Sequence, residues 1–132
     1  MNKYLLDTDI CIYFLKGMYG LNDKIVSVGI DNCFISEITV AELKFGAANS
    51  EKIKQNKDTV ENFISLFSVI PVLDSLDIYA SEKTRLKKTG KLVDDFDLLI
   101  GSTAITNDLI LVTNNKEHFS RLNNIKIVNW TK

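Results

Sequence analysis

The chain has 132 residues, 45% of them hydrophobic and 25% charged, an ordinary composition for a globular domain with one core. Its formal net charge of −1 excludes a protein that coats nucleic acid by bulk charge, though not one with a local basic patch. With one proline, six glycines and no repeat or low-complexity stretch, it has no linker, so residues 1–132 read as a single domain.

Tyr4, Leu5 and Leu6 form an apolar run of strand length that stops at Asp7-Thr8-Asp9. Ile10 to Leu15 resumes the apolar character as a helix ending before Gly17. Asp7 to Asp9 therefore sits where a strand hands over to a helix, the place where open α/β sheets bind ligands. Capping by Asp7 or Thr8 is the plain alternative. A second helix spans about Leu21 to Val28, and Gly29, Asp31 and Asn32 make a turn. Cys33 to Ile35 reads as the second strand.

Ile38, Ala41, Phe45 and Ala48 recur at helical spacing. Within that helix, Thr39-x-x-Glu42 matches a capping box, which on position alone is the favoured role for Glu42. If Ser36 caps the helix instead, Glu42 projects from its second turn. Glu51 to Lys57 is a charged, exposed helix end, and Val60, Phe63, Ile64 and Phe67 give an apolar helical face. Val69 to Val72 reads as a third strand, with Pro71 indicating an edge or an end.

Asp74 to Gly90 has helix start and stop signals, with Asp74 or Ser75 as cap. Its Lys83 and Lys87 share a face and form a candidate phosphate-contacting patch, although a solvated face with cations favoured at a helix C-terminus is sufficient on its own and the stronger reading. Asp94, Asp95 and Asp97 then open a very apolar helix. Asp95 is the natural N-cap, which leaves Asp97 among residues that should be buried and in need of a partner. Leu109 to Val112 is apolar throughout, as expected of a central parallel strand, and ends in Thr113-Asn114-Asn115. A short helix or turn over Lys116 to Leu122 and a last strand over Ile125 to Val128 complete the order.

Strands alternate with helices throughout, which predicts a parallel α/β fold. Asp7 and Thr113 to Asn115 then share one sheet rim, and the helices carrying Glu42 and Asp97 start on it. Converging carboxylates need protons or cations, and a hard ion such as Mg²⁺ or Mn²⁺ is the economical answer. Such an ion suits phosphoryl chemistry. His118 is the only histidine, so neither a zinc site nor a Ser–His or Cys–His nucleophile pair is expected. Cys11 and Cys33 read as small buried hydrophobes in a reducing compartment. No stretch has the length of a membrane span, and the N-terminal apolar run is too short for a signal peptide, so the expected location is the cytoplasm.

Four motifs in this order resemble those of the PIN-domain ribonucleases, most closely the VapC-type toxins of toxin–antitoxin pairs. They are Leu5-Leu6-Asp7-Thr8-Asp9, Ser36 to Leu43, Asp95 to Ala104, and Leu111-Val112-Thr113-Asn114-Asn115. The closing Ile127-Val128-Asn129-Trp130 is similar to that family's ending. The resemblance implies an α/β/α sandwich around a mainly parallel sheet of about five short strands. It implies a Mg²⁺- or Mn²⁺-dependent endoribonuclease, with Asp7, Glu42 and Asp97 at the family's acidic metal positions. The fourth position, often Asp, is Asn115 here, an acceptor without charge. Thr113, Asp94, Asp95 and Asp9 are supporting candidates. It further implies an RNA substrate such as tRNA, a homodimer, and an antitoxin partner for which Ile12, Phe14, Met18 and Tyr19 are candidate docking residues.

Three other readings compete. Asp7-Thr8-Asp9 also fits the DxD pair of a haloacid-dehalogenase-type phosphatase, although the chain is short for that fold. A receiver domain would need an aspartate directly after the third strand, where Leu73 stands. A PIN scaffold that binds RNA or protein without cutting is the third.

Overall fold

The computed structural model describes residues 1–132. Its five strands are β1 (Tyr4–Leu6), β2 (Cys33–Ser36), β3 (Ser68–Ile70), β4 (Ile110–Val112) and β5 (Lys126–Val128). They form one sheet in the order β3-β2-β1-β4-β5, and every pairing is parallel. The helices are α1 (Thr8–Leu15), α2 (Leu21–Val28), α3 (Glu37–Ala48), α4 (Ile53–Ile64), α5 (Leu76–Lys88), α6 (Asp95–Thr106) and the single turn α7 (Lys116–Phe119).

The two faces of the sheet follow from the two-residue period of a strand. Leu6 and Val112 point into a cluster with Ile10, Cys11, Leu43, Ala47, Val60 and Phe63, contributed by α1, α3 and α4. Leu5 and Leu111 point the other way, onto Ile100, Ala104 and Phe119 of α6 and α7. A third cluster, with Leu86, Leu98 and Leu122, fixes α5 to the outside of α6. The result is the expected α/β/α sandwich.

Some local expectations change. β4 is an interior strand with parallel partners on both sides, as expected, and β1 lies at the middle of the sheet. β3 stops at Ile70, just before Pro71, at the sheet edge. The helix predicted from Asp74 begins as a 3-10 turn over Leu73–Ser75, and α5 proper follows. Ser75 holds the N-cap position of α5 without making a cap bond, and its buried hydroxyl has no partner.

At α3 the cap is Ser36, whose wholly buried Oγ accepts from the Thr39 N–H at 3.1 Å. Ser36→Ala should therefore cost about 1 kcal/mol in urea unfolding. A cost near zero would show that the cap does not hold α3.

Candidate active site

β1 ends at Leu6, and the next residue, Asp7, is the N-cap of α1. The capping reading holds for it. Its Oδ1 accepts from the Thr8 N–H at 2.8 Å, and its Oδ2 accepts from Thr113 Oγ1 at 2.8 Å. Thr113 follows β4, so this bond joins the tips of the two adjacent strands. Asp7 is only 4% exposed. Burial pushes its carboxyl up to about 7, the two hydrogen bonds oppose this, and the charges of Asp97 and Asp9 add to it.

Asp97 lies in the first turn of α6, half-buried. Burial raises its carboxyl to about 6, helped by the negative charges of Asp94, Glu42 and Asp9 and opposed by His118. Glu42 comes from the second turn of α3, and its Oε1 accepts from Thr8 Oγ1 at 2.7 Å. Thr8 Oγ1 also lies 3.0 Å from Thr39 Oγ1. The capping-box role of Glu42 is therefore wrong: Ser36 caps the helix, and Glu42 turns toward α1.

Asp94, not Asp95, caps α6, accepting from the Phe96 N–H at 3.2 Å. Asp95 turns outward to Lys83 at 2.8 Å and the Tyr79 hydroxyl at 2.9 Å. It thus leaves the acidic cluster, while exposed Asp9 stays close enough to act on Asp7 and Asp97. Lys83 is taken up by Asp95, whereas Lys87, one turn on, is exposed and makes no ion pair. Asn115 donates its backbone N–H to Thr113 Oγ1 at 3.0 Å, and its Nδ2 lies 3.0 Å from His118 Nδ1. Sequence reasoning did not foresee that Thr8 bonds Glu42 or that His118 lies against Asn115. The only local signal for His118 was its spacing of three from Asn115 on a short helix.

The structure's ion pairs join Lys83 to Asp95, Arg85 to Glu82 and Lys126 to Asp108. None neutralises Asp7, Glu42 or Asp97. Asp7 and Asp97, each with raised affinity for protons and no cationic partner, are hard oxygen donors of the kind a divalent ion takes. No three acidic side chains come close enough to form a ready-made cage. Magnesium does not require one, since one or two carboxylates with several waters suffice. Beside the acids runs a groove lined by Thr8, Asp9, Ile12, Ala41, Glu42, Phe45 and Phe96. Of the candidate docking residues, Ile12 lines it, Met18 and Tyr19 are exposed, and Phe14 packs on Phe63.

The PIN domain family model matches residues 4–125. The chain belongs to the PIN-domain family. Its similarity to VapC proteins within that family extends over nearly its whole length. It is 35% identical to Ribonuclease VapC2 of Rickettsia felis, over 98% of each chain. It is 29% identical to the tRNA(fMet)-specific endonuclease VapC of Shigella flexneri, over 99% of this chain and all of that one. A chain in a DNA-bound VapBC structure from Salmonella typhimurium superposes with a TM-score of 0.92 at 30% identity, covering 98% of this chain and 99% of that one. Dependence on a divalent metal is a general property of PIN-domain ribonucleases. The phosphatase and receiver readings give way to this membership.

Proposed function

We propose that the chain, acting as one domain, is an endoribonuclease that hydrolyses RNA phosphodiester bonds with Mg²⁺ or Mn²⁺, and is the toxin of a toxin–antitoxin pair. The observation that carries the site is that Asp7, just past β1, and Asp97, in the first turn of α6, are withdrawn from solvent without a cationic partner, with the charge of Asp97 acting on Asp7. In this reading Asp7, Asp97 and Glu42 hold the ion, with Glu42 steadied by Thr8 and Asp7 by Thr113. When bound, the ion supplies Lewis-acid activation of the phosphate and of an attacking water. Asp9 and Asp94 enlarge the negative field that draws it in.

The names of the Shigella flexneri and Salmonella typhimurium relatives support tRNA as the substrate class. The VapBC complexes support an antitoxin partner, and the apolar groove beside Glu42 gives it a place to dock. A homodimer belongs to the same reading, supported by exposed Leu73, Leu76, Leu92 and Phe96 around α5 and α6. Its site of action in this reading is the cytoplasm; no helix is long and apolar enough to cross a membrane.

Incubating purified, antitoxin-free protein with total bacterial RNA, with Mg²⁺ or Mn²⁺ and with EDTA, tests the activity. Discrete fragments that need the metal support the nuclease. Intact RNA in every lane leaves the non-cleaving scaffold. Lys87 adds a finer expectation. Lys87→Ala should raise KM for RNA and lower the salt slope of binding by about 1, with kcat unchanged. An unchanged slope would remove Lys87 from the RNA path.

A further inference from the structure

Ala41, Phe45 and Ala48 follow the helical spacing of an apolar face of α3, yet all three are exposed. The buried face of the helix is Thr39, Leu43 and Ala47. α3 therefore carries a second apolar stripe that the rest of the chain leaves open. Phe45 is 68% exposed, the most exposed aromatic side chain in the protein, and it packs on no other ring. A ring left in water contributes little to the fold. Phe45 follows Glu42 by three residues, so the two side chains are neighbours on the helix surface. Phe96, 48% exposed, directly precedes Asp97, and its backbone N–H is held by the Asp94 cap. Both rings line the groove that Thr8, Asp9 and Glu42 also line.

The chemistry of the substrate names what fits there. A phosphodiester taken at the acidic rim brings a nucleoside on each side, and each base is a flat ring tethered to that phosphate by one ribose. The groove is lined by two carboxylates and no cation, so it repels phosphate and suits the base. Its volume of about 580 Å³ lies in the range of pockets that take a small molecule. A base inside a duplex has both faces covered by its neighbours, so only an unpaired, splayed base can offer one to a protein ring. We propose that Phe45, with Phe96, is a stacking platform for an unpaired base beside the scissile phosphate. The enzyme then accepts unpaired RNA segments and meets this base by its face, not by its hydrogen-bonding edge. This rests on the nuclease reading above and adds the state of the RNA that the site accepts.

The test is placed on Phe45, because Phe96 also borders the face given to the dimer. Bulk bacterial tRNA with Mn²⁺ is the cleavage substrate. Phe45→Leu keeps an apolar side chain but has no ring, and should raise KM about tenfold with kcat within about twofold of the parent. Phe45→Trp offers a larger ring and should hold KM within about twofold of the parent. Binding is read separately, in EDTA, by the fluorescence anisotropy of a short labelled unstructured RNA and of the same RNA annealed to its complement. Phe45→Leu should bind the single strand about tenfold more weakly and the duplex unchanged. Phe45 is exposed, so thermal unfolding should not change in either variant. The proposal is overturned if Phe45→Leu keeps the parent's KM and single-strand affinity, if Phe45→Trp is as weak as Phe45→Leu, or if the duplex loses as much affinity as the single strand. Phe45→Leu that releases a protein partner while holding RNA as the parent does gives the groove to that partner alone, and overturns it too. The nuclease reading fails separately, if the parent with Mn²⁺ cuts neither tRNA nor total RNA, and the anisotropy then decides the stacking by itself.

Discussion

Asp7→Asn should reduce metal-dependent RNA cleavage by on the order of 100-fold or more, and should also stabilise the metal-free protein at pH 8. The two effects share one cause. In the folded chain the Asp7 carboxyl titrates near about 7, against an ordinary value of 3.8. Between those values the folded state holds a proton that the unfolded state has released. Stability of the metal-free protein must then fall as pH rises through that window. A rise of about three pH units corresponds to at most about 4 kcal/mol, fully present above pH 7 and absent below pH 4. Asp97, raised to about 6, acts in the same direction. Asparagine keeps an acceptor for the Thr8 N–H and lets Thr113 Oγ1 accept in turn, so its fit is close to that of the acid.

Urea unfolding in EDTA at pH 5 and pH 8 reads this directly. The parent should be weaker at pH 8, and Asp7→Asn should lose most of that difference. Added Mg²⁺ should restore the parent at pH 8, because an ion that binds only the folded, deprotonated site stabilises it by mass action. A parent equally stable at both pH values in EDTA would mean that Asp7 is not under electrostatic strain.

Phe119→Ala should destabilise the fold by about 3–5 kcal/mol and lower Tm by roughly 10–25 °C. Phe119 is the largest wholly buried side chain and packs in the cluster with Leu5, Ile100 and Leu111. The α6 face it meets is close-fitting, since a Cβ on Gly101 would sit 3.4 Å from the Phe119 ring and 2.6 Å from Leu122. Removing the ring opens a cavity that these neighbours cannot fill. It also frees α7, the single turn that carries His118 and follows Asn115. Activity should therefore fall even at temperatures where the variant is folded. Circular dichroism melting checks the first part, and a Tm within about 3 °C of the parent would contradict the packing described.

The fold was readable in sequence because its signals are local and periodic. Strands of three or four apolar residues alternate with helices whose apolar faces recur at helical spacing. Which strand lies at the centre was not readable. β1 and β4 are both buried on two faces, and such runs look alike. The acids at the strand and helix tips could be listed from sequence, but which of them cap and which pair could not. Thr39 and Glu42 satisfy a capping-box pattern, and only the bond from Ser36, one turn earlier, shows that the helix starts elsewhere. Asp94 and Asp95 are both plausible caps by composition. The choice between them is made by Lys83 and Tyr79 from a different helix, which draw Asp95 outward. Thr8 met Glu42 only through a contact spanning 34 residues.

The bond from Thr113 to Asp7 joins residues 106 positions apart, and β1 waits for β4 across the same span. A ribosome adding about 5–20 residues per second makes Asp7 roughly 5–20 s before Thr113 exists. Until then the emerging chain has half of its central ladder and an acid without its hydroxyl partner. Messages broken before the codon for Thr113 yield products in which Asp7 lacks that hydroxyl partner.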